Sequence, residues 1–394
     1  MAKTLDCLAD ILKDVNKKFG EGVMTVGVED LTEYGTLSLG SPGFDFCLYN
    51  SFPERKIVEF CGAEGSGKTT TLYTILKALN KEDVNITTME NIIGIIFVDL
   101  ECGADPEWAA KMGYDMNASP VRTIRFTGSD MAAEHIFDVI LNALKTGEIG
   151  LIILDSLNML VPLQTFGESL EKKDMGGIAK PLGDFARRIK GLLVKYNATL
   201  IGINQLRENI GGYGNPLTTS GGRGWKHACD VRMMFKKSAF IDEDGNELKS
   251  TAESPAGYIM EAAVLKTKVC KWDRKLGRMY VNYDRGIDIM QDTIEVAIQF
   301  GFIDNSVQGT FKLIDPDTGE LICDDEGNEI KIRGKRNIKP YFEDRPHLWR
   351  KLYDKVYDKL SQKQDPSIVS FEKMLNINID EKFNINLEQE NKDE

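Results

Sequence analysis

The chain has 394 residues and carries 49 lysines and arginines against 61 aspartates and glutamates, a formal net charge of −12. That balance excludes a protein that coats nucleic acid by global attraction. It leaves room for a locally basic groove, because exposed charges act over a Debye length of about 8–10 Å. The length allows a main domain and at least one smaller one, and the composition is that of an ordinary globular protein. No apolar run is long enough to span a bilayer, and the first residues carry charges where a signal peptide would be apolar, so a cytoplasmic setting without membrane partners is expected. The 7 cysteines are odd in number and lack C-x-x-C spacing, and the 3 histidines are isolated. A disulfide framework, a zinc site and a nucleophilic triad are thereby disfavoured.

In chain order, Leu8, Ile11, Leu12, Val15 and Phe19 stand at helical spacing over residues 4–19, and Gly20 and Gly22 end that helix. Such an amphipathic helix packs on its own core or docks on a neighbouring subunit; both readings stand. After a loop at 37–43, an apolar strand at 56–61 leads into residues 62–69, which fit G-x-x-x-x-G-K-[ST]. This stretch, followed by helix-forming residues from Thr70 to Leu79, has the strand–loop–helix context of a phosphate-binding loop. Backbone N–H groups from Gly62 through Glu64, Gly65, Ser66 and Gly67 to Thr70 would cradle phosphates, helped by the helix dipole. Lys68 would reach the β- and γ-phosphates and Thr69 would ligate Mg²⁺.

The apolar run 92–100 reads as a buried parallel strand ending near Asp99 and Glu101, and a helix opens at Asp105 and Pro106 before Trp108. Helix 131–145 precedes a strand at 150–156 that ends in Asp155, and helix 184–195 precedes a strand at 198–205 that ends in Gln205. Repeated strand–helix units predict an α/β fold, a mostly parallel sheet with helices on both faces and ligands at the carboxyl ends of its strands. Residues 206–225 are Gly-, Thr- and Asn-rich with almost no apolar positions, and read as a long functional loop. Strands at 230–236 and 258–269 follow, with an acidic turn at 242–245. A domain boundary is expected near 288, then helix 293–300, a hairpin and helix 347–360. The polar, acidic stretch 376–394 reads as a flexible tail.

Asp155, directly after a buried strand and downstream of the phosphate loop, would hold the water shell of Mg²⁺. Glu101 admits two readings of equal weight from position alone: a base orienting the water that attacks the γ-phosphate, or an acid serving the dipole of the helix at 105–112. Gln205 would sense the γ-phosphate, or would only satisfy backbone groups at a strand end. Lys266 and Lys268 alternate along one strand and so face one side, either solvent or a phosphate in an adjacent subunit. Residues 315–326 resemble a calcium loop only faintly. Gly319 falls at a ligand position and Glu320 stands where glycine is required, so a hairpin turn is expected. The basic stretch 331–339 is either a solvated charge run or a guide for duplex DNA.

Taken together, residues 62–69, 97–101 with Asp105 and Pro106, 154–156, and 203–207 with 214–222 resemble the RecA recombinases in kind and order. Residues 17–22 are similar to the N-terminal segment of that family, and 266–268 and 286–287 to the end of its core. Residues 309–311 and 315–320 look more like the UvsX-type phage recombinases. The resemblance covers residues 10–360. It implies a RecA-like P-loop NTPase core at 35–288, a polymerisation segment at 1–34, a small α+β domain at 289–365 and an acidic tail at 366–394. It also implies an ATP- and Mg²⁺-dependent, DNA-dependent ATPase that polymerises on single-stranded DNA as a helical filament of its own copies and exchanges strands with double-stranded DNA. Single-strand binding and loading proteins are candidate partners.

By the same resemblance Glu101 is the catalytic base, Asp105 and Trp108 meet the nucleotide, and Trp108 stacks on adenine. Gln205 senses the γ-phosphate, while Lys266 and Lys268 reach ATP on the next protomer. Loops at 163–178 and 207–224 would hold DNA without reading its sequence, with Lys180, Arg187, Arg207 and Arg223 as phosphate contacts. The chain departs from the family pattern in two places. A lysine at 180 gives up bidentate geometry, and Trp225, Lys226 and His227 replace an apolar–Lys–Phe run, which leaves the second loop's coupling to a neighbour open. Two competing readings share these motifs, a ring helicase motor and a nucleotide-binding mediator without turnover.

Overall fold

The computed structural model describes residues 2–19, 36–49, 52–79, 94–116, 122–128, 130–167, 177–208, 217–315, 317–323 and 327–360. Helix α1 (Ala2–Phe19) carries Lys17 and Lys18 in its last turn, where the dipole favours cations. Strand β1 (Ile57–Gly62) is buried at every position and feeds α2 (Lys68–Leu79) through the glycine-rich loop. Then come β2 (Gly94–Asp99), α3 (Pro106–Lys111), β3 (Arg122–Phe126), α4 (Ala133–Leu144), β4 (Ile149–Asp155), α5 (Ala179–Lys195) and β5 (Thr199–Glu208). The central sheet has the order β3-β2-β4-β5-β1, with every pairing parallel.

The period of two along each strand builds the two layers. Val58, Phe60, Ile95, Phe97, Leu151 and Ile153 face Leu72, Tyr73, Ile75 and Leu76 of α2. Ile57, Ile96, Val98, Ile152 and Leu154 face the other way, onto Ile136, Phe137 and Ile140 of α4 and Phe185 and Ile189 of α5. Continuous apolar runs are what a strand covered on both faces requires.

Beyond β1 the sheet continues through β7 (Val231–Ile241), parallel to β1, then β8 (Gly257–Thr267) and β9 (Leu276–Asn282), both antiparallel to their neighbours. Before β7, the expectation of one loop from 206 to 225 is corrected. β5 runs on to Glu208, and β6 (Leu217–Thr219) pairs back on it, Arg207 opposite Thr218. Helix α6 (Gly222–Ala228) then buries Trp225. The stretch lacks apolar residues because its ends are held by polar contacts to the sheet. Residues 209–216 lie outside the described residues, as do 168–176 of the first loop. Helix α5 begins at Ala179 rather than at 184, and β3 and β9 were not foreseen.

After β9, Asp288 caps α7 (Ile289–Gln299) by accepting from the Gln291 N–H at 3.0 Å. A three-stranded antiparallel sheet follows, β10 (Ile303–Val307), β11 (Thr310–Leu313) and β12 (Lys331–Arg333), and then α8 (Pro346–Leu360) after a short helix, Ile338–Glu343. These elements share one apolar cluster with Phe46, Ala263 and Leu276 of the core. The Asp315 carboxylate accepts from the Asp317 and Thr318 N–H groups and takes Lys351 Nζ at 2.6 Å, the geometry of a hairpin turn tied to α8. Residues 376–394 lie outside the described residues. Among the described residues no helix is long and apolar enough to cross a membrane.

Candidate nucleotide site and its surroundings

Parallel pairing sets the carboxyl ends of four strands side by side. Gly62 of β1 is opposite Gln205 of β5, and Asp99 of β2 is opposite Asp155 of β4. The loop after β1 turns through positive φ at Gly65 (66°) and Gly67 (91°). At Gly67 a Cβ would overlap Met260 Sδ of β8, so glycine is required there. At Gly65 nothing stands within 4 Å, so the loop's outer face is open. Lys68 is 8% exposed, and its ammonium lies inside the loop, donating to Ala63 O at 2.7 Å and Gly62 O at 3.1 Å. Burial pulls the Lys68 pKa down, against the opposing fields of Asp155 and Glu101. The Thr69 hydroxyl donates to Asp155 Oδ2 at 3.0 Å. Burial, with Glu101 and Asp99 adding to it, pushes Asp155 up to about 7.

Glu101 follows β2 and takes two donors on one oxygen. Ser156 Oγ, just past β4, reaches Glu101 Oε1 at 2.5 Å, and Gln205 Nε2 reaches it at 2.7 Å. Gln205 is itself fixed by its backbone N–H, which donates to Asn158 Oδ1 at 3.0 Å. Asp99 shapes the loop that carries Glu101. Its two oxygens accept from the Gly103 and Ala104 N–H groups, both at 3.1 Å, and Arg125 of β3 donates to it at 2.5 Å.

On the other side of the phosphate loop, Trp108 Nε1 donates to Thr70 Oγ1 at 3.0 Å, holding the indole against the start of α2. The Trp108 and Tyr283 rings stand 6.5 Å apart, and Tyr283 and Tyr258 5.5 Å apart. Asp105 acts as the N-cap of α3, accepting from the Glu107 and Trp108 N–H groups at 3.0 Å. One side of the opening is therefore aromatic and the other anionic.

The residues present fit a nucleoside triphosphate with magnesium. An open nest of N–H groups and a lysine suit phosphates. One hydroxyl beside one carboxylate suits a hard cation that keeps its waters and phosphate ligands, and no denser cluster of His, Cys, Asp and Glu occurs among the described residues.

The family model for the RecA N-terminal domain matches residues 6–288. The chain belongs to the RecA family. Protein RecA of Aquifex aeolicus is 28% identical over 88% of this chain and 90% of its own length. Protein RecA of Phytoplasma mali is 26% identical over 90% and 95%, and that of Thermus aquaticus 28% over 89% and 94%. A solved structure, described as the RadB recombinase, aligns with 64% of this chain and 98% of its own at 19% identity and a TM-score of 0.45. The UvsX-like character of the C-terminal part is not confirmed by these matches.

In this RecA-family chain Lys266 and Lys268 stand apart from Lys68. Lys266 Nζ donates to Lys226 O at 2.8 Å and His227 O at 3.1 Å, capping the carbonyl end of α6, and Lys268 Nζ is 4.0 Å from Asp230. Lys180 is exposed in the first turn of α5, and Arg187 of the same helix pairs with Asp184. Arg207 is exposed on β5, and Arg223 is exposed in the first turn of α6. In the basic stretch, Lys331, Lys335 and Lys339 pair with Glu329, Glu295 and Asp288. Arg333 and Arg336 of the same stretch are exposed as well.

Sequence reasoning missed Ser156, Asn158, Asp99 with Arg125, and Tyr258 and Tyr283. Ser156 and Asp99 sit beside residues already singled out. Tyr283 reaches Trp108, and Tyr258 reaches Tyr283, from more than a hundred positions beyond Trp108, and neither left a local signal.

Proposed function

We propose that this chain is an ATP-dependent homologous recombinase, which polymerises on single-stranded DNA and drives pairing and strand exchange with duplex DNA. The observation that carries the reading within its family is the bond from Gln205 to Glu101. It joins the proposed γ-phosphate sensor, on the strand that opens the second loop, to the proposed base. Gly62, Glu64, Gly65, Ser66, Gly67 and Thr70 would hold the phosphates, Trp108 with Tyr283 the base, and Asp105 would fix the helix that carries Trp108. Thr69 and Asp155 would hold Mg²⁺, which would supply charge neutralisation at the phosphates.

Two donors on Glu101 Oε1 leave Oε2 to take a proton from water, and the donors keep the carboxylate in place. Lys68, now donating to its own loop, is poised to exchange those carbonyls for phosphate oxygens. Lys266 and Lys268 would serve a neighbour's site, and Lys180, Arg187, Arg207 and Arg223 would contact the phosphates of single-stranded DNA. Arg333 and Arg336 are the candidates for duplex contact. Residues 1–34 would serve polymerisation, 35–288 the ATPase core and 289–365 a smaller accessory domain, with action in the cytoplasm.

The test is joint-molecule formation between homologous DNAs with ATP, using wild type, Glu101→Gln and Lys68→Ala. Wild type should form joint molecules within helical filaments. Glu101→Gln should bind ATP and DNA without turnover, and Lys68→Ala should lose nucleotide binding. Wild type that binds ATP and single strands yet yields no joint molecules, or assembles only into closed rings, sinks the reading.

A further inference from the structure

Several charged side chains are buried away from the nucleotide site, and one of them lies on the strand that feeds it. Glu59 lies in the middle of β1, the strand that delivers Gly62, and is 0% exposed. It faces the α4 and α5 side, where its neighbours along the strand call for an apolar residue. Its Oε1 accepts from Asn204 Nδ2 at 2.7 Å and from Trp225 Nε1 at 3.0 Å, and its Oε2 accepts from Arg232 Nε at 2.5 Å. A buried pair of this kind is weak as a source of stability, since apolar residues of like volume generally do as well. What it supplies is a defined arrangement of the groups around it.

Trp225 belongs to the returning stem of the second loop, and Asn204 of β5 and Arg232 of β7 contact that stem. Asn204 stands next to Gln205, and its side chain pairs twice with the Ser220 backbone: Nδ2 donates to Ser220 O at 2.9 Å and Oδ1 accepts from Ser220 N at 3.2 Å. Arg232 reaches Thr219 Oγ1 at 3.5 Å. The Trp225 indole of α6 lies on Gly202 of β5, where a Cβ would come within 2.6 Å of it. Helix α6 in turn meets α5, the returning stem of the first loop, through bare backbone. A Cβ on Gly224 would stand 3.4 Å from Gly183 Cα. The stems of both loops therefore converge on Trp225, and Trp225 is held by a carboxylate on the phosphate-loop strand.

We propose that Glu59 is a positioning residue that ties the returning stem of the second loop to β1 and β5, so that DNA engaged at the loops sets the position of Gln205 and with it the rate of ATP turnover. The inference rests on the recombinase reading. Movement of the 217–228 stem shifts Ser220 and Trp225 together, and both pull on groups adjoining Gln205 and Gly62. Buried, fully satisfied polar networks act as such rigid links.

The experiment measures phosphate release by the full chain with and without poly(dT), for wild type, Glu59→Gln and Trp225→Phe. Trp225→Phe keeps an aromatic ring and the Glu59–Arg232 pair while removing one hydrogen bond to a carboxylate and part of the indole's bulk. Glu59→Gln sets an amide N–H₂ against the Arg232 donor. The expected result is a ratio of DNA-stimulated to DNA-independent kcat lowered by about 10-fold or more, the factor such a charge-assisted bond carries. DNA-independent kcat and KM for ATP stay at the wild-type values. An unchanged ratio in Trp225→Phe overturns the proposal, and so does a proportional fall of both rates, which is what a purely structural role would give. Should Glu59→Gln fail to fold, Trp225→Phe decides alone. If wild type itself shows no stimulation by single-stranded DNA, the recombinase reading fails, an outcome distinct from normal stimulation in the variants.

Discussion

Gln205 of β5 donates through Nε2 to Glu101 Oε1 at 2.7 Å, although β4 lies in the sheet between β5 and β2, the strand that Glu101 follows. Ser156, at the end of β4 itself, donates to the same oxygen at 2.5 Å. Donors from the two neighbouring strands, β5 and the segment just past β4, thus converge on one carboxylate oxygen. The position of the Glu101 carboxylate is set by the sheet register together with the loop that carries it.

Removing the carboxylate should therefore separate chemistry from binding. Glu101→Gln keeps shape and donors, and kcat should fall by about 10²–10⁴-fold, the range of general-base catalysis, with ATP affinity retained. Ser156→Ala loosens the base without removing it and should lower kcat by about 10-fold with little change in KM. Steady-state phosphate release measures both. Equal rates in Ser156→Ala and wild type would show that the strand-end contact has no part in turnover.

Thr69 and Asp155, whose side chains are 3.0 Å apart, would offer the protein's share of the proposed magnesium site. Asp155→Asn keeps an oxygen but loses the charge, so the magnesium concentration for half-maximal ATPase should rise by about 10-fold or more. A titration of rate against free Mg²⁺ checks this, and chelation should stop hydrolysis in both proteins. An unshifted titration in Asp155→Asn would remove Asp155 from the metal site.

The parallel core was legible because strands buried on both faces must be continuously apolar, and β1, β2, β4 and β5 are. β3 was not, since Arg122 and Arg125 break its run and its position at the sheet edge leaves Ile124 58% exposed. The stem at 217–228 was hidden for a different reason. Asn204 fixes Ser220, and Glu59 fixes Trp225, through contacts that no local periodicity encodes. The grouping of Lys68, Thr69 and Asp155 followed from the spacing of the motifs. The role of Ser156 depends on register, and the Trp108–Tyr283 pair on a contact remote in sequence, so neither could be read from spacing.

Asp45 provides a test of pH-linked stability away from the nucleotide. Its carboxyl is buried, and burial pushes it up to about 7 from an ordinary 3.8, despite hydrogen bonds from Ser38 Oγ at 2.5 Å and Leu39 N–H at 2.7 Å. The folded state holds this proton to a higher pH than the unfolded chain does. Between about pH 4 and 7 the native state thus binds more protons, and the group's contribution to stability falls as pH rises. Asp45→Asn mimics the protonated form. Urea unfolding at pH 5 and pH 8 should show wild type losing more stability than the variant, by on the order of 2–3 kcal/mol. Asp292, also raised by burial, is common to both proteins and cancels in the comparison. Parallel losses in the two proteins would mean that Asp45 is ionised in the native state.

Gly202 tests the packing beneath the second loop. Its missing side chain lets the Trp225 indole lie on β5, and a Cβ would stand 2.6 Å from Trp225 Cζ2 and 3.1 Å from Leu157 Cδ1. Neither neighbour has room to move, because Trp225 and Leu157 are both 0% exposed. Gly202→Ala should therefore cost about 1–3 kcal/mol by overpacking. It should also displace the indole from Glu59, so that Trp225→Phe made in the same background adds less than it does alone. Chemical denaturation of the two single variants and the double variant gives the coupling directly. Strict additivity would mean that the methyl group is accommodated without moving the ring, and that the glycine at 202 is not required by Trp225.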